Sequence, residues 1–87
     1  MSKYKYIATR VCNEIEKRSL WDQTIDYDYL RSFVFDMKLG QVKPEWRMSV
    51  TTFDRLLKYM IAKGLLTRIK RHHYKFNRKE ATWLNSN

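Results

Sequence analysis

The run Ser49-Val-Thr-Thr-Phe-Asp-Arg-Leu-Leu-Lys-Tyr-Met-Ile-Ala-Lys-Gly64 constrains the fold more than any other stretch of the chain. Val50, Phe53, Leu56, Leu57, Met60 and Ile61 recur in three- and four-residue steps, which is the spacing of one helical face. Ser49 or Thr51 offers a hydroxyl cap in front of that face. Gly64 supplies the left-handed residue on which a helix ends. The helix is expected to run to about Lys63, with Leu65 continuing its buried stripe. Thr51, Thr52, Asp54, Arg55, Lys58, Tyr59 and Lys63 are left outside. A basic, β-prone stretch, Arg68-Ile-Lys-Arg-His-His-Tyr-Lys75, follows at once. Neither a lone amphipathic helix nor a lone hairpin is stable in water, so the two must share a core built with the rest of the chain.

Upstream, Tyr4, Ile7, Ala8, Val11, Cys12 and Ile15 form another helical face, predicting a first helix over residues 4–18 with Ser2 as its only good cap. Residues 19–25 read as a break that holds either a short strand or a turn anchored by Trp21. Thr24, Asp26 and Asp28 offer caps for a second helix over residues 26–39, whose stripe is Tyr27, Leu30, Phe33, Val34 and Met37. Gly40 is its expected C-cap. Residues 41–48 read as a loop, since Pro44 disfavours helix at Lys43. Trp46 is expected to plug inward and Arg47 to face out. Two strands are expected over residues 65–71 and 73–77, with Leu65 and Ile69 on the inner side and Arg68 and Lys70 on the outer. The turn at Arg71-His72-His73 lacks Asn-Gly or Gly-Gly, so an irregular tip is expected. Residues 78–87 read as a tail whose Trp83 and Leu84 fold back on the core. The expected fold class is α+β, mostly α: a single domain over residues 1–87 with three helices followed by a two-stranded β hairpin. That order is the winged helix-turn-helix arrangement.

The charge is lopsided. Of 87 residues, 18 are Lys or Arg and 9 are Asp or Glu, a net charge of +9. Residues 1–40 hold seven cations against six acids, and residues 41–87 hold eleven against three. Such a balance points to a polyanionic partner, against the plainer reading of a merely solvated surface. The chain is 44% hydrophobic, enough to form a core, so disorder is not expected. Cys12 is the only cysteine; it fits a reducing cytoplasm and a buried, inert thiol. The opening Met-Ser-Lys-Tyr-Lys-Tyr has no apolar run for a signal peptide, and no stretch has the ~20 apolar residues of a membrane span.

The segment Ser49-Val-Thr-Thr-Phe-Asp-Arg-Leu-Leu-Lys-Tyr-Met-Ile-Ala-Lys-Gly-Leu-Leu-Thr-Arg68 resembles the recognition helix of winged helix-turn-helix regulators of the multiple-antibiotic-resistance type. Thr51, Thr52, Phe53, Arg55, Leu56, Met60, Lys63, Gly64, Leu65, Leu66 and Arg68 occupy the places of that pattern. The connection before this helix, residues 40–48, is longer than a tight helix-turn-helix turn. The chain also lacks the terminal helices through which that family dimerises. The resemblance implies a helix that enters the major groove of double-stranded DNA and a wing on the backbone.

In that reading Arg55 is the best base reader, because its fork can bond a guanine edge twice. Thr51 and Thr52 suit a phosphate or a thymine methyl, and Lys58 and Tyr59 lie one turn on. Arg47 and Ser49 flank the start of the helix. Arg68, Lys70, Arg71, His72, His73 and Lys75 are the candidate wing, meeting the sugar-phosphate backbone. The plainer alternatives are solvated helix residues and a charged hairpin edge that discourages aggregation. His72 and His73 are adjacent on a strand and point to opposite faces, so they are a poor metal pair. No metal site, catalytic constellation, phosphate-cradling glycine loop or cofactor is expected, and the chain is not expected to be an enzyme. Tyr4, Tyr6, Trp21, Trp46 and Trp83 read as packing residues rather than base-stacking platforms.

The expected role is a small transcriptional regulator or an accessory factor in replication or recombination. A different class remains open: a protein-interaction module, such as a phage- or plasmid-type adaptor or inhibitor with an acidic partner. RNA binding stands third. A homodimer would fit a palindromic target, though no feature fixes its interface.

Overall fold

The structure is a computed structural model and describes residues 3–85. It is α+β and mostly helical, with a three-stranded antiparallel sheet. Helix α1 (Lys3–Lys17) buries Ile7, Ala8, Val11, Cys12 and Ile15, the face anticipated from their spacing. Ser2, the expected cap, lies outside the described residues. Ser19 and Asp22 take left-handed backbone angles, φ 55° and 61°, and turn the chain back. The break then resolves as a strand, β1 (Thr24–Asp26), with Ile25 inward. Asp26 caps α2 (Tyr27–Asp36), its carboxylate accepting the Asp28 N–H at 3.1 Å.

Three corrections fall between α2 and the next long helix. The second helix ends at Asp36 rather than near residue 39, because the left-handed turn is taken by Lys38 (φ 51°, ψ 50°) and not by Gly40. Gly40 lies within a single-turn helix, α3 (Leu39–Val42). A glycine is needed there for space: a Cβ at Gly40 would sit 3.1 Å from the Cα of Arg47. Residues 41–48 are therefore not a plain loop, since α3 gives way to a 3-10 turn (Pro44–Trp46). Proline opens that turn, where its missing N–H costs nothing. Trp46 does plug inward, at 7% exposure, and Arg47 does face out.

Helix α4 (Val50–Ala62) starts on Ser49, whose Oγ accepts the Thr52 N–H at 3.1 Å. Of the two hydroxyls proposed as caps, Ser49 has the role. Ser49→Ala is accordingly expected to cost about 1 kcal/mol. That lowers the thermal midpoint by about 4–8 °C, whereas Thr51→Ala leaves it nearly unchanged. Equal shifts in a melting experiment would remove Ser49 from this role. The helix closes with Gly64 at φ 76°. Leu65 N–H donates to Met60 O at 2.9 Å and Gly64 N–H to Ile61 O at 3.0 Å, the paired bonds of a Schellman motif. Phe53, Leu56, Leu57 and Met60 are buried as expected. Val50 and Ile61 are not, at 55% and 40% exposure. Both lie just beyond Leu57 around the helix, where the arc in contact with the core has ended.

Strands β2 (Leu66–Lys70) and β3 (His73–Phe76) form a hairpin, and β3 lies between β2 and β1. The pairs Leu66–Phe76 and Arg68–Tyr74–Ile25 share one face, while Thr67–Lys75–Thr24 share the other. The core face therefore starts from Leu66, one residue later than the sequence suggested, and Arg68 rather than Ile69 falls on it. Leu65 is buried too, but in the turn before the strand. One residue of register moves a whole strand between faces. A bulge between Arg68 and Lys70 then leaves Ile69 46% exposed and pairs Lys70 with His73.

Within the stretch read as a tail, Arg78–Asn85 forms a 3-10 helix. It is tied down by Arg78 N–H donating to Asp22 Oδ1 at 3.3 Å and by an Arg78–Glu16 ion pair at 3.2 Å. The side chains of Trp83 and Leu84 lie outside the described residues. One continuous core joins α1, β1, α2, α3, the 3-10 turn, α4 and the hairpin, with Phe53 and Phe76 its largest fully buried side chains. No described helix is long and apolar enough to cross a membrane.

Candidate nucleic-acid interface

The buried face of α4 fixes what its other face presents. With Phe53, Leu56, Leu57 and Met60 inward, Thr51, Arg55 and Lys58 form an exposed stripe on the far side. Asp54 is exposed beside this stripe, four residues before Lys58, yet it pairs with neither Lys58 nor Arg55. The ion pairs among the described residues engage only Arg18, with Glu14, and Arg78, with Glu16.

Other expected helix residues are already committed. Ser49 Oγ accepts the Thr52 N–H and donates to Thr52 Oγ1 at 3.0 Å, so its hydroxyl serves the helix start. Thr52 is half-buried and retains its own O–H. Tyr59 is half-buried against α1, with its ring 6.0 Å from that of Tyr4. Burial pushes its phenol above the usual range. Tyr59 thus leaves the outward stripe and belongs to the α1–α4 seam.

Tyr27 sets the hairpin beside α4. Its ring packs edge-on against Phe53 of α4 at 5.6 Å and lies 6.0 Å from His72 and 6.3 Å from Tyr74 in the hairpin. Its N–H donates to the His72 carbonyl at 2.8 Å. His72 holds a left-handed φ of 63° at the tip, which a β-rich basic run does not announce. Arg31, one helical turn after Tyr27, lies over its ring at 5.7 Å. Arg31 was not among the expected contacts. Its i, i+4 relation to Tyr27 was the available signal, and it counted only once Tyr27 proved to be the joint between helix and hairpin.

The hairpin cations divide. Arg68 lies on the helical side of the sheet, in the row of Tyr74, and Arg71 is at the exposed tip. Lys75 points from the opposite side between Thr24 and Thr67, and Lys70 and His73 share that side with Asp26. The six wing residues therefore do not form one surface. His73 Nδ1 donates to the Arg71 carbonyl at 2.9 Å, which bends its ring along its own strand. His72 and His73 are engaged separately, and no group of three possible metal ligands occurs among the described residues.

Positive charge is not confined to α4 and the hairpin. Arg10 and Lys43 flank Trp46 at 5.6 and 5.5 Å, and Tyr6 stacks on it at 6.5 Å. Lys3 Nζ donates to the Glu45 carbonyl at 3.1 Å. These cations cover the seam between α1 and the 3-10 turn. Trp46 and the half-buried Trp21 are packing residues, as expected, while Tyr6 remains largely open. Cys12 is buried in α1, and burial pushes its thiol up to about 12, so it stays protonated and unreactive. Compared with protein-family models, curated proteins and solved structures, the chain matches none.

Proposed function

We propose that this chain is a winged helix-turn-helix protein that binds double-stranded DNA, with α4 in the major groove and the tip of the hairpin on the backbone. The observation that carries the reading is the exposed, unpaired stripe Thr51-Arg55-Lys58 on a helix whose opposite face is buried, beside a hairpin bearing Arg68 and Arg71. The element order, with β1 joining the hairpin as a third strand, supports the same layout. Arg55 reads bases and Lys58 and Thr51 hold phosphates on either side of it. Arg68, Arg71 and Arg31 add charge at the junction made by Tyr27. The protein acts as a small regulator or as an accessory factor in replication or recombination.

Binding of this kind is salt-dependent, because each neutralised phosphate releases counterions. Titration of a random duplex by fluorescence anisotropy at several salt concentrations is expected to give a linear fall of log K with log salt. The double change Lys70→Ala, Arg71→Ala should flatten that slope by no more than about 2 and weaken all sequences alike. Because Lys70 lies on the outer side of the sheet, most of this loss belongs to Arg71. No binding at low salt below ~100 µM, the weak end of non-specific affinity, would overturn the reading.

A second reading has its own observation. Val50 and Ile61 form an exposed apolar edge on α4, at 55% and 40% exposure. A helix that serves as a docking face for another protein would use such an edge. Absence of duplex binding in the same titration favours it.

A further inference from the structure

We infer that the outward face of α1 is a second contact surface for duplex DNA, so that one chain holds two DNA segments together. Lys3, Tyr6, Arg10, Asn13 and Lys17 follow one another in alternating steps of three and four, which places them on one face of α1. That face is opposite Ile7, Ala8, Val11, Cys12 and Ile15, the buried side. Tyr6, Arg10, Asn13 and Lys17 are exposed, and Lys43 joins Arg10 at the ring of Trp46. Lys3, Arg10, Lys17 and Lys43 have no ion-pair partner among the described residues. Glu14 and Glu16 lie beside the stripe, but their carboxylates meet Arg18 at 2.8 Å and Arg78 at 3.2 Å. Glu45 is the single acid of the neighbouring 3-10 turn.

The spacing suits a phosphate backbone. From Lys3 to Lys17 the stripe is ~21 Å long, at a helical rise of ~1.5 Å per residue. A duplex presents one phosphate per strand for every ~3.4 Å of its axis, so about six fall along that length. Contacts of that kind carry no sequence preference. A protein partner would need an apolar anchor. The stripe offers little: Tyr6 is its one aromatic ring, and Trp46 stacked against it is already buried. The stripe also stands apart from α4. Tyr4, which meets Tyr59 of α4, lies on the inner arc of α1 with Ile7, Ala8 and Val11. Seen from the stripe, α4 is therefore behind α1, and a duplex seated on Thr51, Arg55 and Lys58 leaves the stripe open. Bridging rests on the duplex reading for the first of its two contacts.

The test is capture of a fluorescent duplex by an immobilised one, with single-duplex affinity measured by anisotropy in parallel. The wild type is expected to bind one duplex and capture the second, and Arg55→Glu, Lys58→Glu to lose both. Arg10→Glu, Lys17→Glu is expected to cut capture about tenfold or more while weakening single-duplex binding only several-fold. Arg10 rests on Trp46, so Asn13→Glu, Lys17→Glu, which leaves that contact in place, decides the matter if the first variant fails to fold; it should lose capture likewise. Lys75→Glu, Lys79→Glu makes the same charge change as the first variant at a cleft those two lysines share, and should keep capture. The α1 variants should also keep the wild-type sedimentation mass. Equal loss of capture in the Lys75, Lys79 pair would overturn the proposal in favour of net charge. Undiminished capture in the α1 variants, or loss accompanied by a fall in mass, would overturn it in favour of a bridging dimer. Single-duplex binding with no capture by the wild type overturns it alone and leaves the stripe to an acidic protein. No binding of a single duplex overturns the duplex reading with it.

Discussion

Phe53→Ala is expected to lower the thermal midpoint by roughly 15–30 °C, the largest loss of any single substitution considered. Phe53 is fully buried in α4. It meets Tyr27 at 5.6 Å and Phe35 at 6.0 Å, so α2 packs on α4 largely through this ring. Truncating such a side chain costs about 3–5 kcal/mol, the lost transfer energy plus the cavity left behind. A domain of this size holds only about 5–15 kcal/mol in total, so roughly a fifth or more of the stability goes. The effect reaches the site as well. Tyr27 loses its seat on α4 and with it the contact that places the hairpin tip. Circular dichroism melts read the first effect. A shift under about 5 °C would mean that the α2–α4 contact is not the keystone assigned to it.

The three long helices were legible because their apolar residues repeat at a helical period over many turns. The limits of α4 were legible because Ser49 and Gly64 are chemically suited to start and stop a helix, and the bonds at both ends use them. What escaped was local and depended on close contact. Gly40 looked like a helix stop; its reason for being glycine is Arg47, seven residues on, and nothing in the local pattern reveals that approach. Val50 and Ile61 fit the helical stripe, yet the width of the core, not the period, decides which edge of a stripe is covered. The strand register slipped by one because Leu65 and Leu66 are both buried, one in a turn and one in a strand. Alternation alone cannot separate those two cases, and the bulge at Ile69 then shifted Lys70 again.

The same distinction governs the site. Arg55 and Lys58 could be placed outward from the helical period alone, and they are exposed and unpaired. Tyr59 could not, because it sits at the edge of the stripe and α1 decides its fate. Charge is what marks the wing residues in the sequence, and charge says nothing about which side of a sheet a residue takes. Pairing divides them, leaving Arg68 and Arg71 as the hairpin cations best placed to act with α4.

Reversing the charge on that stripe is the sharpest functional test. The double change Arg55→Glu, Lys58→Glu is expected to weaken duplex binding by roughly 100-fold or more at low salt. A base-reading arginine is worth about 1–3 kcal/mol of binding. Placing two carboxylates against phosphates adds repulsion to that loss. The fold should be spared, since both residues are exposed and neither has an ion-pair partner to lose. Exposed substitutions of this kind shift stability by about 0.5 kcal/mol or less. Glutamate is also as good a helix former as the residues it replaces. Lys75→Glu on the outer side of the sheet is the matched control: it removes the same kind of charge from a surface that α4 does not share. It is expected to weaken binding only several-fold, through the long-range field of the protein. If Lys75→Glu weakened binding as much as the double change on α4, net charge alone would explain the affinity and the helix would have no particular role. If instead neither variant altered binding while both kept the wild-type melting curve, the outward face of α4 would not be the contact surface. The apolar edge at Val50 and Ile61 would then be the part of α4 to test against proteins.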